Sequence, residues 1–552
     1  MSEPAAPPAR PVPAKGPRLE RALLGVLLCA TALIPLCHRF LPMNDAPSHI
    51  ATGAIARKLL LGDGFFAAHY TFQALPLPYW ACTILMQGLQ LVFDPLRAFA
   101  IVLAIYVVAL PLGLRAVLRA VAPEDPAYVR ALVLPGALAA LNWAYWLGEV
   151  NFLLGQPVAL FALALLLRSS SVRSRAFAGF VALVPIVYLC HIYALVALLI
   201  AAAGVVAPGV LQAMVPRRAE KSALWRLAAA LPRPSRAQWL GAFYTLAHFA
   251  VAAYFVLFQH RTDANRGRMT LDLTLRKLVH VAIDPFDTLS GPAHFMTPLF
   301  VAALVVAAVL SLRARWREQP PETPRLERAL GLFHLPLLVP ALGLLLVACL
   351  GPAAILNEDG TLKEGEIAAR FSLLGMLLGL GALRFRLVGR ARGVFLGAIV
   401  VFGGLKTAEC WRIHRAFQPE AQAFADEILA KVPPHSRLLP LFAVAHPSRA
   451  DFVRHRMGSY VVPLRDGYSP HVFATLGQHP LRHRRGPEGR TGDWREVDEL
   501  RLREDEWSFY GYVLVQTDPL EAAMDRVVPG LVQHAVPVAA GSRFHLYRLG
   551  PK

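Results

Sequence analysis

The sequence predicts a mainly α-helical membrane protein, in which a bundle of about 11–13 transmembrane spans precedes a small C-terminal α/β domain. The chain has 552 residues, of which 56% are hydrophobic and 17% charged, and its mean hydropathy is +0.45. Long apolar stretches recur from Ala22 to about Trp411. After Trp411 the composition is that of an ordinary soluble domain, so we place its boundaries at residues 412–552.

The apolar stretches predict the spans one by one, because a helix needs about 20 residues to cross the hydrocarbon core. Several stretches are shorter, which favours tilted, kinked or partly re-entrant helices. The predicted spans lie at about 22–42, 77–93, 98–118, 131–147, 152–167, 176–190, 192–207, 238–258, 294–312, 329–350, 368–383 and 393–409. They form a transmembrane domain over residues 22–411, with an outer loop at 43–76.

The charge pattern predicts the orientation. The formal net charge is +19, and the arginines cluster in short loops between apolar spans, at 168–175, 217–236, 313–328 and 384–392. This is the positive-inside pattern of a bacterial inner membrane protein, so it gives no support to a nucleic-acid partner. The basic, proline-rich tail at 1–21 is expected inside, and the acidic loop at 351–369 and the C-terminal domain are expected on the periplasmic side. Twelve full crossings would not fit these signals, so we expect an odd total, with one stretch between 77 and 207 re-entrant or merged.

The first candidate site follows the first span directly, in the run Met43-Asn44-Asp45-Ala46-Pro47-Ser48-His49. A carboxylate at the membrane face can act as a base on a substrate that is itself anchored in the bilayer. The alternative is that Asp45 or Ser48 only caps the helix that begins near Pro47. Residues 49–62 have helical spacing and predict an amphipathic helix lying flat on the outer face.

Two further motifs place polar residues between apolar spans. The run from Gly148 to Pro157 (Gly-Glu-Val-Asn-Phe-Leu-Leu-Gly-Gln-Pro) forms a tight turn that carries Glu149 and Asn151. The run from Leu189 to Ala194 contains His191 between two apolar segments. Ionisable residues at such positions are costly unless they are solvated, paired or functional. Glu149 is therefore either an acid of the site or part of a solvated turn, and His191 either contacts substrate or hydrogen-bonds within the bundle.

Together, these three motifs resemble those of the GT-C superfamily of integral membrane glycosyltransferases, of the bacterial mannosyltransferase type that depends on a polyprenyl-phosphate sugar. The resemblance implies that Asp45 is the catalytic base and that His49 and Glu149 belong to the catalytic site. It also implies that Asn151 and His191 bind substrate. His49 could instead hold a divalent metal, which is left open as a cofactor, or be interfacial structure, and two ligands are too few to predict a metal site.

A phosphate-bearing donor also needs cations outside the membrane, and arginine is the better clamp because its guanidinium offers two parallel donors. The candidate donor-binding residues are Arg57, Lys58, Arg266, Arg268 and Arg370, together with Arg276 and Lys277. Arg57 and Lys58 could instead touch lipid headgroups.

The C-terminal domain shows both helix and strand patterns. Residues 419–431 and 519–527 predict helices, and 437–444, 510–516 and 543–549 predict strands. The stretch 478–496 is rich in His, Arg and Gly and predicts a mobile loop. We expect this domain to help recognise the acceptor.

The sequence thus predicts a glycosyltransferase that moves a sugar from a polyprenyl-phosphate donor to a lipid, glycan or protein acceptor at the bilayer surface. The alternatives are a transporter or flippase of lipid-linked material, which would show inverted repeats, and a non-catalytic scaffold whose outer domain binds a partner.

Overall fold

The structure is a computed structural model, and the residues it describes are 16–73, 78–215, 231–254, 267–270, 274–352, 354–357, 362–364, 367, 369–385, 387–442, 453–454, 456–473, 479–484, 508–516 and 531–550. The predicted fold class is confirmed: the chain is a helical membrane-type bundle with a small mixed sheet near its C-terminus.

The N-terminal half of the bundle alternates long helices with short connecting elements. Its helices are α1 (Gly16–Cys37), α2 (Ala46–Leu60), α3 (Gly64–His69), α4 (Trp80–Leu89), α5 (Pro95–Val121), α6 (Pro126–Ala139), α7 (Trp143–Leu147), α8 (Val150–Arg168), α9 (Arg175–Cys190) and α10 (Ile192–Met214). Strand β1 (Tyr70–Phe72) lies between α3 and α4.

The second half continues the bundle. It contains α11 (Arg236–Tyr254), β2 (Gly267–Thr270), α12 (Leu275–Ile283), α13 (Pro292–Glu318), α14 (Arg325–Leu330), α15 (Leu335–Leu350), β3 (Ala354–Asn357), β4 (Leu362–Glu364), α16 (Ala369–Ala382) and α17 (Gly389–Ala423). Strands β2, β3 and β4 form a three-stranded antiparallel sheet, which joins the segment between α11 and α12 to the loop at 351–369 that was predicted to lie outside.

Among the described residues, seven helical segments are long and apolar enough to cross a membrane, and four shorter apolar helices accompany them. Every predicted span corresponds to one or more of the helices above, with several differences in boundaries. Helix α1 ends at Cys37 rather than near residue 42, and α4 covers Trp80–Leu89 rather than 77–93. The span expected at 131–147 is divided by a break between α6 and α7, and the span expected at 329–350 begins at Leu335, after the separate helix α14. The total of 11–13 crossings, and its parity, stay a prediction.

Helix α17 is the longest element and leads directly into the C-terminal domain. Its 35 residues span about 52 Å at 1.5 Å per residue. It continues without interruption into a π-helical turn, Phe424–Ile428, and a 3₁₀ turn, Leu429–Lys431. The predicted domain boundary at 412 therefore falls inside a continuous helix.

The C-terminal domain is built on a four-stranded sheet of β5 (Leu438–Phe442), β7 (Tyr512–Gln516), β9 (Phe544–Leu549) and β8 (Ala535–Ala540), in that order. Strands β5 and β7 are parallel and the other pairs antiparallel. Three of these strands were predicted and β8 was not. The helix predicted at 519–527 lies outside the described residues.

A segment between β5 and β7 leaves this sheet and lies on the bundle. It contains a 3₁₀ turn, Met457–Tyr460, helix α18 (Val461–Arg465) and strand β6 (Leu481–His483). Strand β6 pairs antiparallel with β1 of the outer loop, with Thr71 opposite Arg482. Residues 479–484 were predicted to belong to a mobile loop; that prediction is wrong for them, because they are paired with β1. Residues 485–496 of the predicted loop lie outside the described residues.

Helix α2 differs from its prediction as a helix lying flat on the membrane surface. It begins at Ala46, close to the start expected near Pro47, but every residue from Ala46 to Ala56 is buried. Its neighbours are α4, α5 and the segment around Met457–Arg465. The close approach of α4 depends on Gly53, since a Cβ at that position would lie 2.5 Å from Met86 Cε. The apolar surface of α2 is therefore covered by protein.

Candidate functional site

Asp45 occupies the N-cap position of α2, yet its side chain makes no capping hydrogen bond. The aspartates at three neighbouring helix starts, Asp63, Asp94 and Asp125, each accept a backbone N–H. The side chain of Asp45 is instead turned toward other groups: Asn44 Nδ2 donates to its Oδ1 at 3.1 Å, and Arg456 Nε lies 3.1 Å from the same oxygen. Capping alone therefore does not account for this carboxylate.

The turn that carries Glu149 packs directly against the Asp45 segment. The backbone N–H of Asp45 donates to Leu147 O at 2.9 Å, and that of Asn44 donates to Trp146 O at 3.3 Å. Gly148 adopts φ +79°, and a Cβ at this position would lie 3.1 Å from the backbone nitrogen of Asp45. The first two motifs of the sequence, about 100 residues apart, thus form one unit.

Glu149 follows in this unit and pairs with Arg370 at the start of α16, with 2.7 Å between Glu149 Oε1 and Arg370 Nη2. The guanidinium of Arg370 also lies 4.8 Å from the ring centre of Tyr193. Both side chains of the pair are largely buried, with 15% and 12% exposed. Arg370 is thus the predicted cation that the structure brings to the carboxylates.

A cleft opens beside this ion pair, with an empty volume of about 360 Å³. Its walls come from α7, the start of α8, the loop after α12 and the start of α16. The lining includes Leu147, Glu149, Phe152, Asp284 and Arg370. Asp45 does not line the cleft, but its backbone is bonded to Leu147, which does.

Burial raises the pKa of the Asp45 carboxyl, while the positive charges of Arg456 and then Arg370 act to lower it. The side chain keeps 18% of its surface exposed. A carboxylate with a raised pKa is a stronger base than an ordinary aspartate, and it can still be reached by a small group. The site therefore holds a partly exposed carboxylate whose pKa lies above its usual value.

His49 lies one turn after Asp45 and faces the C-terminal domain. Its ring centre is 4.5 Å from that of Phe473 and 6.2 Å from that of Phe99. Burial lowers the pKa of His49 well below its usual value, and His479 and Arg456 lower it further. The imidazole is therefore neutral at pH 7 and suited to hydrogen bonding rather than to pairing with an anion.

A row of stacked rings connects His49 to His191. Phe473 stacks on His479 at 4.5 Å, His479 on Tyr79 at 4.7 Å, and Tyr79 meets His191 edge-on at 4.7 Å. Tyr79 has a φ of +72° at the start of α4, which is unusual for an aromatic residue. Such backbone strain tends to persist at functional sites. His191 itself caps α10, where its Nδ1 accepts from Tyr193 N at 3.1 Å.

Asn151, Arg57 and Lys58 are not gathered at the carboxylates. Asn151 is buried, and its Oδ1 accepts from Cys82 N at 3.0 Å, so it positions the start of α4. Arg57 and Lys58 lie about 18 Å along α2 from Asp45, and Lys58 Nζ pairs with Asp466 at 2.9 Å. Arg268 lies in β2, and Arg266 lies outside the described residues.

Sequence reasoning missed the residues that the C-terminal domain brings to the site, namely Arg456, Phe473 and His479. The stretch from Tyr468 to His483 contains histidines and aromatic residues close together, and that composition was the available signal for Phe473 and His479. Within the described part of the chain, no group of three or more His, Cys, Asp or Glu side chains is placed to hold a metal ion. The divalent metal that the sequence left open as a cofactor stays untested.

No family model and no curated protein matches the sequence. Among solved structures, the chain is similar to ArnT from Cupriavidus metallidurans bound to undecaprenyl phosphate, at 14% identity over 97% of this chain and 100% of that one, with a TM-score of 0.37. It is also similar to the arabinofuranosyltransferase AftD from Mycobacteria, at 15% identity over 97% of this chain and 40% of that one, with a TM-score of 0.44. With TM-scores below 0.5, neither likeness supports a conclusion about activity.

Proposed function

We propose that this chain is a membrane glycosyltransferase that moves a sugar from a polyprenyl-phosphate donor to a lipid, glycan or protein acceptor, on the outer face of a bacterial inner membrane. The observation that carries the proposal is the pair of largely buried carboxylates, Asp45 and Glu149, which lie on two backbone segments bonded to each other and are each paired with an arginine. The cleft beside them lies among helices of the bundle, where a lipid-anchored donor would arrive.

In this proposal, Asp45 removes the proton from the acceptor hydroxyl. The acceptor oxygen then forms a bond to the anomeric carbon of the sugar, and the bond between that carbon and the phosphate oxygen breaks. The phosphate leaves with the bonding electron pair. The raised pKa of Asp45 supports this role, because a stronger base takes the proton more readily as the transition state forms.

Arg370 is the residue we assign to the donor phosphate. It lines the cleft and is held there by Glu149 and Tyr193. A phosphate that arrives in the cleft would compete with Glu149 for the guanidinium, whose two parallel donors match a phosphate. Glu149 would then be the second acid, and the neutral rings of His49 and His191 would contact the sugar or the acceptor.

The experiment that tests the proposal is Asp45→Asn, which keeps the shape of the side chain but removes its basicity. In a strain that lacks the chain, wild type should restore a glycosylated lipid, glycan or protein, detected by mass spectrometry. Asp45→Asn, present in the membrane at the same level, should lower the rate of formation about 10²–10⁴-fold. The matched control is Asp63→Asn, since Asp63 caps α3 in the same outer segment and asparagine is an equally good cap.

The control should form product at the wild-type rate. Full activity of Asp45→Asn would refute the role of Asp45 as base. An unchanged pattern of glycosylation in the strain that lacks the chain would refute the glycosyltransferase itself.

A further inference from the structure

The segment of the C-terminal domain between β5 and β7 is attached to α2 by polar contacts along the helix. Ser48 Oγ donates to His471 O at 2.7 Å, and Ser459 Oγ donates to the same carbonyl at 3.1 Å. At the other end of α2, Lys58 Nζ pairs with Asp466 at 2.9 Å. The segment is therefore fixed at both ends of the helix that begins with Asp45.

Arg456 is carried into the site by this segment. The residue is only 8% exposed, its Nε lies 3.1 Å from Asp45 Oδ1, and its guanidinium lies 4.9 Å from the ring centre of Phe473. Its Nη1 donates to Ser48 Oγ at 3.4 Å. Burying a guanidinium costs free energy unless the group is paired and hydrogen-bonded. The fold thus places Arg456 beside the Asp45 carboxylate against a desolvation cost.

We propose that the C-terminal domain completes the catalytic centre, with Arg456 as the positioning residue that orients the Asp45 carboxylate and holds it in its charged form. This inference rests on the proposed function, and it assigns to the C-terminal domain a part in the chemistry itself, beyond recognition of the acceptor. Arg456 does not touch the reacting atoms and acts through Asp45.

The charge on Asp45 depends on the groups around it. Among the described residues these are Arg456 from the C-terminal domain, Arg370 from α16 with its partner Glu149, and His49 from α2. An opposite charge at this distance lowers the pKa of an aspartate by about 1–3 pH units. Burial raises the pKa of Asp45 even with Arg456 in place, so without Arg456 the carboxyl would remain protonated to a still higher pH.

The test measures the titration of Asp45 directly, so it does not depend on knowing the sugar or the acceptor. Infrared difference spectra of the full-length protein in detergent are recorded against pH, and the carboxyl band that is absent in Asp45→Asn is assigned to Asp45. In Arg456→Gln the midpoint of this band should rise by about 1–3 pH units. The matched control is Arg454→Gln, which removes an arginine of the same segment that pairs with Glu420 instead, and the midpoint should not move.

An unchanged midpoint in Arg456→Gln overturns the proposal. Arg456→Lys is the second variant, and it decides the matter if the neutral variant does not fold. It keeps the charge but loses the planar fork, so the midpoint should stay near wild type while product formation in the complemented strain falls about tenfold. Wild-type product formation by Arg456→Lys overturns the orienting role. Loss of product in Asp45→Asn together with an unmoved midpoint in Arg456→Gln would refute this inference and leave the proposed function standing.

Discussion

Gly148 lies where the two carboxylate motifs meet, and its replacement by alanine is the sharpest test of that contact. The residue has φ +79°, and a new Cβ would lie 3.1 Å from the backbone nitrogens of Asp45 and Ala46 and 3.3 Å from Asp45 Cβ. Gly148→Ala is therefore unfavourable for two reasons. A residue with a Cβ must adopt a left-handed backbone conformation, and its new methyl group crowds the backbone of Asp45.

Gly62 separates these two costs. It follows α2 with φ +77°, and nothing lies within 4 Å of a Cβ built there. Gly62→Ala therefore carries only the backbone penalty, about 1–2 kcal/mol. Gly148→Ala carries that penalty and a crowding cost of about 1–3 kcal/mol. The two variants should thus differ in stability by about the crowding cost alone.

The difference in activity should be larger than the difference in stability suggests. To admit the new methyl group, the backbone of Asp45 must shift by a few tenths of an ångström, and a displacement of about 1 Å at a reacting group can cost about 100-fold. We expect Gly148→Ala to lower product formation about tenfold and Gly62→Ala to leave it near wild type. Thermal unfolding of the purified proteins and product formation in the complemented strain measure the two quantities. Equal stability and equal activity of the two variants would refute the packing of Gly148 against the catalytic aspartate.

Two further predictions concern residues around the site. Gln418 of α17 accepts from the backbone N–H groups of residues 39–40 and donates to the carbonyl of Phe40, so Gln418→Ala should lower stability by about 1–3 kcal/mol and reduce product formation by loosening the chain before Asp45. Burial and, to a lesser extent, the charge of Arg456 together lower the pKa of His479 to about 3. The imidazole is neutral in the folded state and takes up a proton on unfolding below about pH 6.5. Stability is therefore full above that pH and falls as the pH drops toward 3, and His479→Phe should remove up to about 1.4 kcal/mol per pH unit of this dependence.

Each of these has a direct check. For Gln418, unfolding and product formation are compared with Gln422→Ala, which changes a glutamine one turn later on the same helix whose amide donates to Asp426 instead. Equal effects of the two substitutions would contradict the prediction. For His479, unfolding is followed at several values between pH 7 and pH 4. Phenylalanine preserves the ring between Phe473 and Tyr79, so an identical pH dependence in wild type and variant would show that His479 does not titrate as described.

The elements that the sequence predicted well are those with local signals. Each long apolar stretch became a helix because burial of its side chains, in lipid or protein, and internal satisfaction of its backbone both favour that outcome. The sequence also singled out Asp45, Glu149 and Arg370, because a charged side chain beside an apolar span costs free energy unless it is solvated, paired or functional. That Asp45 and Glu149 share one site was implied by the family resemblance alone. The residues themselves did not predict the contact between their segments, which depends on the left-handed turn at Gly148.

The burial of α2 and the contribution of the C-terminal domain could not be predicted in the same way. An apolar helix face is covered equally well by lipid or by protein, so the pattern of α2 alone did not decide between them. Its small residues, such as Ala51, Gly53 and Ala54, were the sign that other elements approach closely. Arg456 is more than 400 residues from Asp45, in a stretch without helical or strand periodicity, and it is placed only by tertiary docking.

The length of α17 links the dimensions of the bilayer to the site. At about 52 Å the helix exceeds the hydrocarbon thickness of about 30 Å, and its protruding end holds both the turn before Asp45, through Gln418, and the Arg454 ion pair. Helices adjust to a thicker or thinner bilayer by tilting. A tilt of α17 would move both attachments together. Asp45 and Arg456 would therefore keep their relative positions in membranes of different composition.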